Sequence, residues 1–458
     1  MPSVPHRRSS TRASLVTARR AALVTAARAA ITAAAVGLAA SAGWAVAPAA
    51  ADPLPTTPFR LRLGGYGELG AAFHDHGANG NLAGGAPRDR RLELDATRFV
   101  ATLLATTASG WELEAELEIE HGGTGSAVEL EHDEFGEVEH EIEKGGEVQL
   151  EELYLERTFA GRYQLKLGRF YVGVGHLGSR YRPTDYLAAT RSEVETTVVP
   201  GQWDELGLSF TAFLGRVRAT AQIVNGLDST GFSSAGWVST GHQGAFEVIR
   251  ASDLAAVARV DVTVARGVEL GAAGYAGNTS RNRPKADLVR DCPDADPTVV
   301  APCGYLWAPL TIGEVHGVLA RGPVRATALA LWGRLGNADD ITDRNRRLSN
   351  ELGVARTPVA DTAYGVSVEA GVDVAPAFGL GRDRALEPFV RLERYDTMAG
   401  TAAGVFDNPR YQRTVGTVGA VLTLARHLTF KLDVAQRRFG SAELRAETSV
   451  HAVAGFVY

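Results

Sequence analysis

Five glutamates occupy every second position from Glu112 through Glu114, Glu116 and Glu118 to Glu120, with Trp111, Leu113, Ala115, Leu117 and Ile119 between them. Paired carboxylates are what acid–base catalysis uses. Five on one face of a strand line a watery space more simply than they catalyse. A second group, Arg180, Arg182 and Arg191 with Tyr181 and Tyr186, falls in the segment 172–202. A guanidinium meets a carboxylate or phosphate bidentately, so these arginines could contact anionic solutes. The alternative is that they pair with Asp185, Glu193 and Glu195 and fix the shape of their own segment. A third group lies in 121–147, where His121, His132 and His140 are mixed with Asp133, Glu134, Glu137, Glu139, Glu141 and Glu143. Imidazoles and carboxylates together could bind a metal or a partner. Their spacing follows no rigid ligand set, however, and a solvated acidic hairpin turning near Phe135-Gly136 is the simpler account. Such a hairpin would draw cations toward it. The Gly-x-Ser positions have no strand-to-helix turn to make a nucleophile elbow. No enzyme activity, cofactor or metal is expected.

These groups need a scaffold, and beyond residue 51 the sequence offers strands. Val217, Ala219, Ala221 and Ile223 alternate with Arg218, Thr220 and Gln222, and Leu428, Phe430, Leu432 and Val434 alternate with Thr429, Lys431 and Asp433. Successive side chains leave a strand on opposite faces, so each segment has one apolar and one polar face. That pattern suits a membrane barrel with a wet lumen, although a soluble sandwich alternates too. The connections separate the two. Sixteen strands are predicted at 60–75, 91–107, 111–121, 148–159, 163–171, 203–214, 217–226, 253–264, 268–277, 310–320, 324–335, 361–375, 386–396, 411–424, 428–438 and 448–458. Links after even-numbered strands are short, as at Gly215-Arg216, except near 376–385, and links after odd-numbered strands are mostly long. The expected fold is an all-β transmembrane antiparallel barrel with short periplasmic turns and long extracellular loops.

The two ends fit that expectation. Val450 to Tyr458 keeps apolar residues at alternate positions up to the terminal tyrosine. In lipid an unpaired backbone group costs several kcal/mol, so this strand is expected to close the ring against the first, near Leu61 to Phe73. It also fits the C-terminal signal that barrel-assembly machinery reads. At the other end Arg7, Arg8, Arg12, Arg19, Arg20 and Arg28 precede an Ala-rich stretch and the small-residue site Ala47-Pro48-Ala49-Ala50-Ala51. This reads as a secretory signal over 1–51, with 52–458 as the barrel; an N-terminal membrane anchor is the alternative. Without those six arginines the remaining chain carries 41 basic and 53 acidic residues, a net charge of −12. Such a surface argues against nucleic acid as a partner. No later span reaches the roughly 18 apolar residues of a transmembrane helix. The two cysteines, Cys292 and Cys303, share a turn-rich segment and are expected to form a loop disulfide in an exported protein.

Several motifs resemble a known family. They are Gly65-Tyr66-Gly67-Glu68-Leu69, Leu165-Lys166-Leu167-Gly168-Arg169-Phe170-Tyr171, Arg182-Pro183-Thr184-Asp185-Tyr186, Glu193-Val194-Glu195-Thr196, Val199-Pro200 before Trp203, Val224-Asn225-Gly226-Leu227-Asp228 and Glu387-Pro388-Phe389-Val390-Arg391-Leu392-Glu393. Together they resemble outer-membrane porins of the phosphate-selective type, over most of the chain after the signal. The resemblance implies a sixteen-stranded, usually trimeric channel in the outer membrane of a Gram-negative cell envelope. Loops would fold into its pore, outer-membrane lipid and lipopolysaccharide would surround it, and small solutes would pass through it. It implies anion selectivity, phosphate included, where basic residues line the lumen. By parity Arg60, Arg62, Lys166, Arg218, Arg259, Arg325, Arg391 and Lys431 should face inward, with Arg180, Arg182 and Arg191 at a constriction. The β-strand glutamates, Glu205, Asp261, Glu269, Glu369, Asp373, Glu393 and Asp433 face the same way, so the ring is mixed, whereas phosphate selectivity needs a dominant basic ladder.

Overall fold

The structure is a computed structural model that describes residues 59–78, 88–123, 129–130, 140–141, 146–176, 178, 180–243, 249–282, 307–352, 357–381 and 383–458. The expected signal peptide, Cys292 and Cys303, and most of 121–147 fall outside these residues.

Alternation becomes a closed ring. Its strands are β1 (Arg60–Ala78), β2 (Arg88–Thr106), β3 (Trp111–Glu120), β4 (Val148–Phe159), β5 (Tyr163–Tyr171) and β6 (Asp204–Leu214). They continue as β7 (Val217–Asn225), β8 (Leu254–Ala265), β9 (Val268–Asn278), β10 (Pro309–Arg321) and β11 (Val324–Leu335). The last five are β12 (Thr362–Val372), β13 (Arg384–Gly400), β14 (Gln412–Leu424), β15 (Leu428–Phe439) and β16 (Glu447–Val457). Every strand pairs antiparallel with its neighbours in sequence, and β16 pairs with β1 from Tyr66↔Val457 to Asp75↔Thr448. Backbone bonds between Gly65 and Tyr458, 3.1 and 3.0 Å, finish the closure. All sixteen predicted strands are present. A separate two-residue ladder, Glu129↔Glu141 and Leu130↔His140, brackets the predicted turn at Phe135-Gly136, which itself lies outside the described residues.

The burial pattern is inverted relative to a water-soluble domain. Leu63 and Leu94 are 80% and 81% exposed on the outer face, while Glu116 and Lys431 are 1% and 2% exposed on the inner one. At about 25 cal/mol per Å² of apolar surface, a ring of exposed leucines, valines and phenylalanines is stable only against an apolar medium.

Connections sort by end, as the sequence predicts. Those at one end are as short as Arg266-Gly267 and Gly322-Pro323, with 373–383 the long exception. Gly267 sits at φ +73°, and a Cβ there would collide with the Ala320 carbonyl. Gly267→Ala is expected to cost about 1–2 kcal/mol, read as a lower denaturant midpoint. An unchanged midpoint would show that the turn relaxes without strain.

Two features depart from simple alternation. A bulge opposite Glu116/Leu117 lets both Glu151 and Glu152 be buried, although they are neighbours in β4. At the long-loop end, inward residues such as Leu310, Ile312, Leu329 and Leu331 are apolar. They pack with Leu227, Phe232, Trp237 and Val359 from the loops, and with Ile341 of α-helix Ala338–Leu352, in one apolar core. Trp237 Nε1 donates to the Ala360 carbonyl at 3.0 Å. Part of the long-loop end is therefore filled by folded loop.

Candidate functional site

The inner wall carries the predicted acids. On β3, Glu114, Glu116 and Glu118 face the lumen: Tyr154 donates to Glu114, Thr102 Oγ1 and Tyr171 Oη donate to Glu116 at 2.9 and 3.2 Å, and Gln202 donates to Glu118 at 2.9 Å. Arg98 on β2 gathers three carboxylates, Glu68 at 3.1 Å, Glu118 at 3.0 Å and Glu120 at 3.3 Å. Among the basic predictions, Lys166 lies 3.6 Å from Glu156 with its ammonium over the Tyr154 ring, and Arg218 lies 3.1 Å from Asp261. Glu112 is half-buried on the same face, near the short-turn rim where Arg60 and Arg62 are exposed.

The segment 172–203 turns inward and is laced to the wall. Its entrance is fixed by Arg259, which donates to the Gly175 carbonyl at 2.7 Å, and by His176, whose Nε2 lies 3.2 Å from the Ala328 carbonyl. Further along, the strands offer charges to the loop backbone. Arg325 donates to Thr184 O at 2.9 Å, and Glu369 accepts from the N–H groups of Leu187 and Ala188 at 2.8 and 3.2 Å. Lys431 donates to the carbonyls of Tyr186 and Ala188 at 3.0 and 2.9 Å, and Asp433 accepts from Ala189 N–H at 2.6 Å. Arg391 donates to Thr190 O at 2.7 Å. On β1, two strands along the ring from β15, Glu68 accepts from Tyr186 Oη at 2.6 Å. A backbone lying in a lumen has polar groups to satisfy, and these side chains satisfy them with charge-assisted bonds.

A short helix, α1 (Glu193–Thr197), forms where the loop returns. Glu193 is held bidentately by Arg437 at 2.9 and 3.0 Å and accepts from Tyr395 Oη at 2.6 Å. Burial would raise its carboxyl, but Arg437 outweighs burial and holds it down to about 2. Burial lifts Asp185 above the usual carboxylate range and lowers His176 below that of a free imidazole.

Asp185 feels the charges of Arg180 and Arg182, while the loop acids take their hydrogen bonds from several sources. Glu193 goes to Arg437 on the wall, Glu195 accepts the His176 N–H at 2.5 Å, and Asp185 accepts the backbone N–H of Arg182 at 3.1 Å. The three arginines also part company. Arg191 lines the main cavity and donates to Gln202 and to Tyr66 Oη. Arg180 borders a cleft of only about 40 Å³. Arg182 is exposed, with its guanidinium 6.0 Å from the Tyr181 ring centroid. Lys431 and Arg391 point inward: the ammonium of Lys431 donates to the loop carbonyls of Tyr186 and Ala188, while Arg391 donates to Thr190 O and also borders the main cavity.

What stays open is a cavity of about 540 Å³ between the loop and the wall of β1, β2 and β13 to β16. Its lining holds five carboxylates (Glu68, Glu93, Asp95, Glu193, Glu447) and five guanidiniums (Arg91, Arg98, Arg191, Arg391, Arg437). Toward the short-turn end the loop also borders cavities of about 340 and 420 Å³, the first lined by Glu114, Glu152, Lys166, Arg218 and Tyr181. Sequence reasoning missed Arg98, Gln202, Tyr395 and Arg437. Extending the parity of Lys431 and Asp433 by four residues would have found Arg437.

The arrangement has known counterparts in form. An anion-selective porin from Comamonas acidovorans superposes with a TM-score of 0.50 at 11% identity, over 88% of this chain and 100% of that one. The outer membrane channel DcaP of Acinetobacter baumannii gives 0.50 at 11%, over 87% and 97%. OprB of Pseudomonas putida gives 0.50 at 10%, over 87% and 94%. The fold is that of the outer-membrane porins. At such identities the likeness is one of architecture. No protein-family model matches the sequence. An uncharacterized protein of Aquifex aeolicus is 23% identical over 217 residues, which is 47% of this chain and 44% of that relative, so the match spans less than half of either.

Proposed function

We propose that this chain is an outer-membrane porin, a passive diffusion channel for small hydrophilic solutes whose bore is set by the loop 172–203. The observation that carries the reading is the lacing of that loop to Arg259 on β8 and, across the ring, to Asp433 on β15, with a polar cavity of about 540 Å³ left beside it. A loop held to the wall by charges and by apolar contacts such as Leu187 with Phe389 and Val421 narrows a conduit, and the open cavity beside it leaves room for solutes. The apolar outer belt, the secretory pattern of residues 1–51 and the C-terminal strand expected to engage barrel-assembly machinery support an outer-membrane home. A homotrimer among lipid and lipopolysaccharide is part of the same reading, and so is the absence of a catalytic role.

On selectivity, five carboxylates facing five guanidiniums favour a weakly selective pore over a phosphate-selective one. Arg391, the strongest candidate for an anion ladder, is occupied by Thr190 and lies 3.0 Å from Glu393. Refolded protein in planar bilayers is expected to open in ohmic steps, with a reversal potential close to zero in a potassium chloride gradient. A barrel closed at every voltage overturns the channel reading, and a strong anion potential returns it to the phosphate type.

A further inference from the structure

Three imidazoles gather on the inner wall at the long-loop end of the main cavity, and none of them holds the loop. His74 and His76 project from β1 and His451 from β16, with ring centroids 4.9 Å apart for His74–His76 and 5.9 Å for His74–His451. Strand register brings them together. His74 pairs with Ser449, which makes His451 its diagonal neighbour, and Glu93 on β2 is diagonal on the other side. His74 Nε2 lies 3.2 Å from Glu93 Oε2, and its Nδ1 lies 2.9 Å from Ser449 Oγ, which His76 Nε2 approaches at 3.4 Å. Behind them Asp433 Oδ1 lies 2.7 Å from His451 Nδ1, while its other oxygen holds Ala189 N–H. A carboxylate behind an imidazole fixes the ring and leaves the far nitrogen for a ligand.

We propose that His74, His76, His451 and Glu93 form a binding site for a borderline-soft divalent cation, Zn²⁺ being the probe, at the vestibule of the lumen. Imidazole nitrogen with carboxylate oxygen is a donor set that suits zinc, whereas magnesium and calcium call for oxygen alone. The 3.2 Å between His74 Nε2 and Glu93 Oε2 is close to the roughly 3.3 Å edge of a tetrahedron with arms of about 2.0 Å. As placed, these donors do not surround one point: His76 has to turn off Ser449, and His451 has to swing while keeping its Asp433 contact, for the set to close on an ion. The competitor is Arg91, which pairs with Glu93; its side chain is 41% exposed, so it has solvent to swing into. This site shares no residue with the acidic segment 121–147.

Isothermal titration of the refolded barrel with zinc chloride is expected to show one such site per chain, and magnesium chloride none. His74→Ala/His451→Ala should weaken zinc at least about tenfold, the scale of a lost donor, whereas His132→Ala/His140→Ala should bind like wild type. Absent zinc binding in wild type, or binding unchanged in the first double variant, overturns the site. In bilayers zinc should lower the conductance of wild type and leave the His74→Ala/His451→Ala pore unaffected. If wild type gives no openings the porin reading fails, while calorimetry still decides the metal site.

Discussion

Replacing Arg391 with alanine is expected to lower the unfolding free energy of the detergent-solubilised barrel by about 3–5 kcal/mol. The guanidinium lies 3.0 Å from Glu393, an ion pair not aligned as a hydrogen bond, and 3.8 Å from Glu369, and it donates to Thr190. Its removal leaves Glu393, 2% exposed, with a buried charge that only Ser192 and Val194 help to solvate. The loop should loosen, and single-channel current should rise and grow noisy. Arg391→Met with Glu393→Gln removes both charges and should recover most of the loss, because the cost lies in the orphaned partner. Arg60→Ala, at the exposed rim, should stay within about 0.5 kcal/mol of wild type. A loss equal in Arg391→Ala and the double variant would mean that packing, and not charge, anchors the loop.

Glu193→Gln should show its cost through pH. The carboxyl falls from 4.5 to about 2 on folding, an amount worth about 3 kcal/mol. A depressed carboxyl stabilises above its unfolded value, and that stability is lost as pH falls through the folded one. The gap between wild type and Glu193→Gln should therefore be full at pH 6 and above and shrink between about pH 4.5 and 2. The other carboxylates titrate in both proteins and cancel in the difference. Denaturant unfolding at a series of pH values measures it. A gap that ignores pH would mean that the substituted amide loses only shape complementarity to Arg437.

Legibility in the sequence follows from what each feature depends on. Strands were readable because a lipid face and a water face force a period of two, as in Trp111 to Glu120, and because turn length sorts by end. Where something other than lipid or water covers a strand, the rule breaks. Leu310, Ile312, Leu329 and Leu331 are apolar and inward because loops distant in sequence lie over them. The Glu151/Glu152 bulge left no local mark. For the site, parity located the charges but could not assign their work. Lys166 and Lys431 look alike in the sequence, yet one borders open space and the other is sealed under Tyr186 and Ala188. Arg98 was hidden because Phe99-Val100-Ala101 beside it interrupts the alternation.

The pairing of Tyr66 with Val457 joins residues 391 positions apart. Closing a loop of that length costs about 5 kcal/mol in chain entropy before any reward is collected. Fifteen of the sixteen seams join strands consecutive around the ring and adjacent in the chain; the last does not. Until it forms, β1 and β16 are bare sheet edges, each a template for a stranger's strand. High contact order makes that interval slow. Assembly should therefore be limited by the meeting of the two outermost strands, and weakening that one seam should slow insertion more than weakening any other.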